Sequence, residues 1–297
     1  MSHLQKRSKS SDGSYASWFQ VSHRSQYTVI VAIHQPNYLP WLGYFYKIYA
    51  SDAFVFYDVA EFSKASYTKR SKIRKDKSSS ETTWLSVPVH QHQTGAQISD
   101  ILISERSGWA MKHLHKIANT YSSTRFFEVY YEWLRQILMQ VEAQKTLADC
   151  NILLIRQIAQ RLSLKATFHR SSEMHLSGKG SGMNLSIAQH LGATQYLAGV
   201  GSSNYEDDNA FLHAGIKIVR HDLGAWLNAH PYDQGTGQKT QVQAQIQVQR
   251  NQEASELVMS PEGATKFTGG LSVVDALMHV GEKGILELFE EFHQSGQ

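Results

Sequence analysis

The stretch VAIHQPNYLPWLGYFYKI, residues 31–48, decides the reading of the fold. A β-branched run ends at Ile33, and apolar residues at helical spacing begin at Trp41. Between them stand His34, Gln35, Asn37 and Tyr38, framed by Pro36 and Pro40. A strand period that yields to a helix period across one short loop is what a β-α unit of a covered parallel sheet requires. Pro40 sits where a helix begins, so its missing N–H costs nothing. Packing alone would not crowd four hydrogen-bonding side chains into such a loop.

Working outward, YTVIVAI (27–33) has apolar residues on both faces, as a central buried strand needs, and DAFVFYD (52–58) reads as a second such strand. TTWLSVPV and ISDILIS read as further strands. Residues 108–162 carry helical periodicity in WAMKHLHKIANTY, FEVYYEWLRQILMQVEAQ and ADCNILLIRQIAQRL. Strand patterns return at KATFHR, QYLAGV and IKIVRH, with the helix-like GMNLSIAQHLGA before the second of them. The C-terminal LSVVDALMHVGEKGILELFEEF reads as two short helices broken at Gly281–Gly284. The expected fold is α/β: a mostly parallel, doubly wound sheet with a helical middle segment and a ligand crevice at the strand carboxyl ends.

Composition sets limits around that reading. The chain has 297 residues, 41% hydrophobic and 19% charged, enough to build a sizeable core. A net charge of +3 is too small to argue for nucleic acid. Cys150 is the single cysteine, which excludes an intramolecular disulfide and fits a reducing cytoplasm. Its apolar neighbours mark it as a buried inert thiol. No apolar run reaches the roughly 18 residues of a membrane span. Residues 1–26 hold eight serines and several basic residues without an apolar h-region, so a disordered extension is expected there rather than a secretory signal. Residues 27–297 are expected to form a single domain with an insertion at about 236–266. Residues 234–252 contain eight glutamines, strictly alternating from Gln241 to Gln249. That pattern suits an edge strand and a disordered insertion equally.

Ligands of open α/β sheets bind where loops leave the strand carboxyl ends. His34 follows the first strand there and Asp58 the second. His34 is the candidate general base, because its reference pKa lies near working pH, and Asp58 would orient it or serve in its place. Gln35, Asn37 and Tyr38 would line the pocket, beside a helix N-terminus that favours anions. Trp41 would stack on a sugar or base, or fill the core. The segment KASYTKRSKIRKDK (64–77) is strongly basic, and Lys64 and Arg70 are its candidates for holding a diphosphate. YLAGVGSSNYEDD (196–208) places Gly199, Asn204 and Tyr205 after another strand, a glycine-bearing turn that matches neither a Walker loop nor a dinucleotide fingerprint. The pairs His90/His92 and His113/His115 lack a third ligand at diagnostic spacing, so no metal site is expected. Asp207 and Asp208 would be the residues to help hold Mg2+ with a phosphorylated substrate.

These strings resemble the WbqC-like protein family. IHQPNYLPWLGYFYKI, SDAFVFYDVAEFSKASYTKRSKI, WLSVPV, QYLAGVGSSNY, HPYDQ and LSVVDALMHVG are similar to it in register over roughly 31–105, 192–235 and 267–281. His34, Gln35, Pro36, Asn37, Tyr38, Pro40, Trp41, Gly43, Asp58, Lys64, Arg70, Gly199, Tyr205, Gln234, Ser272 and Asp275 fall on its motif positions. The chain departs from the pattern in its N-terminal extension and in the glutamine-rich segment after Gln234. The resemblance implies a cytoplasmic enzyme of bacterial surface-glycan synthesis (O-antigen and related polysaccharides), adding an acyl or aminoacyl group to an amino sugar or nucleotide-sugar. It assigns no catalytic residue. A fainter likeness places Pro40-Trp41-Leu42-Gly43-Tyr44 where nucleotidylyltransferases of the HIGH type carry two histidines. Aromatics at Trp41 and Tyr44 cannot give charge-assisted hydrogen bonds to a triphosphate.

Three functions follow from these residues. The first is a glycan-pathway transferase with a small-molecule substrate. The second is an ATP-dependent nucleotidyl-transfer or activating enzyme. The third is a non-catalytic module binding sugar or single-stranded nucleic acid through 64–77, disfavoured because polar residues gather at strand ends. No oligomeric state is legible.

Overall fold

The computed structural model describes residues 28–77, 81–104, 108–229 and 270–296. The N-terminal extension, Gln234 and the glutamine-rich segment lie outside the described residues. The described residues open with β1 (Ile30–His34), α1 (Leu42–Tyr49) and β2 (Ala53–Phe56), followed by a hairpin of β3 (Arg70–Arg74) and β4 (Thr82–Ser86). Three helices come next: α2 (Trp109–Tyr121), α3 (Phe127–Glu142) and α4 (Leu147–Arg161). Then follow β5 (Thr167–Arg170), α5 (Gly180–His190), β6 (Gln195–Gly199), α6 (Asp208–His213), β7 (Lys217–His221), α7 (Leu223–Ala229) and α8 (Val273–Gln294).

Five strands form one parallel sheet in the order β5-β2-β1-β6-β7. The protein is therefore α/β and doubly wound, and strand order reverses between β1 and β6. Alternation along the strands splits the core in two. Ala32, Phe54, Phe56 and Leu197 face the side of α1 to α4 and α8, while Val31, Ile33, Val55 and Ala198 face α5 and α6. Each fully buried large side chain, such as Phe45 and Phe54, contributes roughly 1.5–3 kcal/mol. The covering of both faces explains why β1 and β2 lack polar alternation.

Two expectations change. ISDILIS is not a strand: Ile98–Asp100 form a 3-10 turn, and Leu102 and Ile103 make only isolated bridges to Thr146 and Val89. Ile98 and Ile101 are both buried, so three-residue spacing overrides local strand propensity. Conversely, the basic stretch is partly β3, whose Ser71 and Ile73 turn inward while Lys72 faces Trp84 across the hairpin. The predicted break in the last helix is a kink at Gly281, whose φ of 70° and ψ of −177° only glycine adopts readily. A Cβ there would press on Phe126 and Tyr130, so the close approach of α3 requires glycine as well.

Candidate functional site

The seam between β1 and β6 opens at its carboxyl end. Their pairing stops at Ala32–Leu197, whereas β1 pairs with β2 up to His34–Phe56 and β6 with β7 up to Gly199–His221. Continuing the register, His34, Gly199 and His221 stand level on three adjacent strands and face the α1 side. Gly199 has no side chain, so the space between the two imidazoles is unfilled by its own strand.

Lys47 reaches into this place from α1. It is 5% exposed, and its Nζ donates a 2.7 Å hydrogen bond to the Ile33 carbonyl, just beyond the last β1–β6 pair. Burial lowers its pKa to about 7, against an opposing pull from Glu206. The imidazoles are held neutral for related reasons. Burial, then the nearby Lys47, brings His34 down to about 3, and the same two causes bring His221 to about 3. His34 packs edge-on against Tyr44 at 4.7 Å and bonds the Gln35 carbonyl through Nδ1 at 3.1 Å. His221 lies 5.1 Å from the Tyr46 ring, and neither of its ring nitrogens has a hydrogen-bond partner among the described residues.

Glu206 enters from the opposite side of the sheet. Its Oε1 accepts from Asn184 Nδ2 at 2.7 Å and from the Tyr196 hydroxyl at 3.1 Å. Its Oε2 is buried without a partner among the described residues. Arg220, close by, donates to Ser202 and Asp208 instead. A near-neutral amine, two uncharged imidazoles and a buried carboxylate thus gather at the topological switch point, where such sheets bind ligands.

The structure distributes the other sequence candidates differently. Asp58 is fully buried and takes hydrogen bonds from Arg170, Ser171 and Ser172, and no hydrogen bond joins it to His34. Tyr38 turns away from the seam and bonds His113 on α2 at 2.8 Å, and Asn37 is buried in the same loop. The loop backbone is pinned from three elements and the loop before β3: Tyr67 accepts from Tyr38, Asn151 holds Pro36, Ser71 holds Leu39, and Val273 donates to Pro40. Much of the hydrogen bonding in this loop therefore joins sheet, hairpin and helices. Trp41 lies over Gly43 of α1 and against Gly224 of α7. Arg70 stacks 4.2 Å over Trp84 and donates to the Ala65 carbonyl, while Lys64 is exposed. Gln35 is half-buried beside His34, and Asn204 and Tyr205 are exposed on the turn after β6.

Asp207 caps α6 and Asp208 pairs with Arg220; among the described residues no group of three His, Cys, Asp or Glu is placed to hold a metal ion. No described helix is long and apolar enough to cross a membrane. Two surface concavities lie away from the seam, one of about 560 Å3 beside Val87 and His90 and one of about 550 Å3 between α4 and Phe168.

Sequence reasoning missed Lys47, Asn184, Glu206 and His221. His221 ends the predicted strand IKIVRH, the same placement that singled out His34. Lys47 is the one charge in the apolar run Leu42–Ile48.

A model of the WbqC-like protein family matches residues 35–242, and the chain belongs to that family. A relative in Mycobacterium tuberculosis (strain ATCC 25618 / H37Rv), the uncharacterized protein Rv1507c, is 28% identical over 197 residues, covering 66% of this chain and 83% of its own. No solved structure matches the chain.

Proposed function

We infer that the protein is a transferase acting on an activated sugar in bacterial surface-glycan synthesis, with its site at the β1–β6 seam. The observation that carries this reading is Lys47, an amine brought near neutral pKa where the sheet opens. General bases work best with a pKa near the operating pH, which favours Lys47 over His34 for proton removal. In this reading the neutral acceptor amine attacks the carbonyl carbon of an acyl or aminoacyl donor, and Lys47 takes the proton that its nitrogen sheds as the bond forms. The new N–C bond forms as the bond to the leaving group breaks, and Lys47 returns its proton to that group. His34 and His221, both neutral, offer ring nitrogens that hydrogen-bond and orient the reactants without repelling the ammonium of Lys47. Gly199 leaves room for the ligand, and Asn204 and Tyr205 stand at its rim. Asp58, Tyr38 and Arg70 serve the frame around the site.

The family resemblance supports the substrate class, an amino sugar or nucleotide-sugar. Adenylyl transfer of the HIGH type gains no support, since Trp41 packs on glycines and Tyr44 on His34. The test is an incubation of the full chain with nucleotide-amino sugars and acyl or aminoacyl donors, read by mass spectrometry, beside Lys47→Met. Acylated product from the parent and almost none from the folded variant is expected. Equal product from both would refute the assignment.

A further inference from the structure

The geometry points to Glu206, with Asn184, as a recognition site for a primary ammonium group. Amino sugars and aminoacyl donors both carry that group, and only the naming of these two sources rests on the transferase reading.

Two acceptors stand unmatched among the described residues. Glu206 is 9% exposed and Asn184 6% exposed, and their side chains are joined by the 2.7 Å bond from Asn184 Nδ2 to Glu206 Oε1. A carboxylate only accepts, so the amide must present its NH2 to Glu206, which frees its own carbonyl oxygen. The Tyr196 hydroxyl donates to the same Oε1 at 3.1 Å and fixes the carboxylate plane. Glu206 Oε2 and Asn184 Oδ1 are left buried without partners among the described residues. Two such acceptors on hydrogen-bonded side chains call for a ligand group with several donors.

Among common substituents, an ammonium supplies three N–H donors and the opposite charge. A hydroxyl or an acetamido group supplies one donor, and a phosphate ester supplies none. The neighbouring protein cations do not fill the role. Arg220 points its N–H groups at Asp208 and Ser202, and Lys47 donates to Ile33 across the seam. The Tyr57 hydroxyl faces the Gly180 backbone, and Tyr205 lies toward solvent. Leaving buried acceptors without hydrogen bonds is costly, so Glu206 Oε2 and Asn184 Oδ1 are set up for donors arriving with the ligand.

The test uses the full chain and ligand-observed NMR affinities for four probes: D-glucosamine, glycinamide, N-acetyl-D-glucosamine and D-glucose. Measurements run at about pH 6.5, where primary amines are charged. An amine probe is expected to bind at least about tenfold tighter than acetylated sugar or glucose, a preference of about 1.4 kcal/mol. Glu206→Gln, which keeps an acceptor toward Asn184 and Tyr196, is expected to weaken the amine probe roughly 30-fold or more. The probe comparison on the parent chain needs no variant, and Glu206→Asp gives a second, shorter carboxylate should Glu206→Gln fail to fold. Glucosamine binding without glycinamide assigns the sugar as source, and the reverse assigns the aminoacyl donor. Glucosamine and glycinamide both binding no better than N-acetylglucosamine would overturn the proposal, as would an unchanged Glu206→Gln. An ordinary Lys47 pKa with amine selectivity intact would remove the transferase reading and leave this site standing.

Discussion

Lys47 Nζ donates to the Ile33 carbonyl at 2.7 Å, at the point where β1 and β6 have ceased to pair. The bond ties the helix after the first strand to the seam where the sheet changes direction. It also places a buried amine beside two imidazoles that share its desolvation.

The first prediction concerns stability against pH. Lys47 has a folded pKa of about 7 and an ordinary unfolded value of 10.5, so between them the unfolded chain binds more protons. Stability should then rise with pH across that window and lose this contribution below it. Between about pH 7 and 9 the difference is roughly 2–3 kcal/mol, and Lys47→Met should remove it. Urea unfolding of both proteins at the two pH values would show it. Parallel pH dependences in parent and variant would count against a depressed Lys47.

The histidines act at the acid end with the same sign. His34 and His221 lie at about 3 when folded, against 6.5 ordinarily, so stability should fall as pH drops below 6.5. From about pH 6.5 to 5 each is worth roughly 1–2 kcal/mol. His221→Leu should give a flatter acid limb in thermal melts, whereas a limb as steep as the parent's would exclude His221 as a contributor.

Asp58 is a question of architecture. Its carboxylate, fully buried, gathers donors from Arg170, Ser171 and Ser172 at the ends of β2 and β5. Asp58→Asn should cost roughly 1.5–3 kcal/mol by weakening the charge-assisted bonds from Arg170 and the serines, while Arg170 keeps its pair with Asp149. Chemical denaturation reads this directly, and a loss under 1 kcal/mol, the ordinary worth of an exposed pair, would contradict it.

Gly43 supports the Trp41 ring. A Cβ at Gly43 would run into that ring, so Gly43→Ala must displace it, at roughly 1–3 kcal/mol. Trp41 emission, isolated by comparison with Trp41→Phe, should shift to longer wavelength in the variant. Unchanged emission and melting would mean the ring moves freely.

The sheet and the helical block were legible because their patterns are simple. Val29 to Ile33 and Ala53 to Phe56 are apolar on both faces, and residues 109–161 keep a helical period. β3 was hidden because Arg70, Lys72 and Arg74 mask the alternation of Ser71 and Ile73. Arg74 in particular reads as solvated yet is buried on Asp275 at 2.8 Å. One rule, chemistry-bearing residues and glycines at strand ends, singled out His34 and Gly199, two of the six residues of the proposed seam site. That rule also drew in Asp58 and Tyr38, since sequence does not say toward which face a loop side chain turns. Lys47, Asn184, Glu206 and His221 come from four separated segments, and only the folded sheet brings them together.

The most direct test of the central claim is the pKa of Lys47, followed by NMR on protein with isotope-labelled lysine side chains and assigned by Lys47→Met. The account predicts a midpoint of about 7. A midpoint at the ordinary lysine value, roughly 10.4, would contradict it and leave the seam without a base.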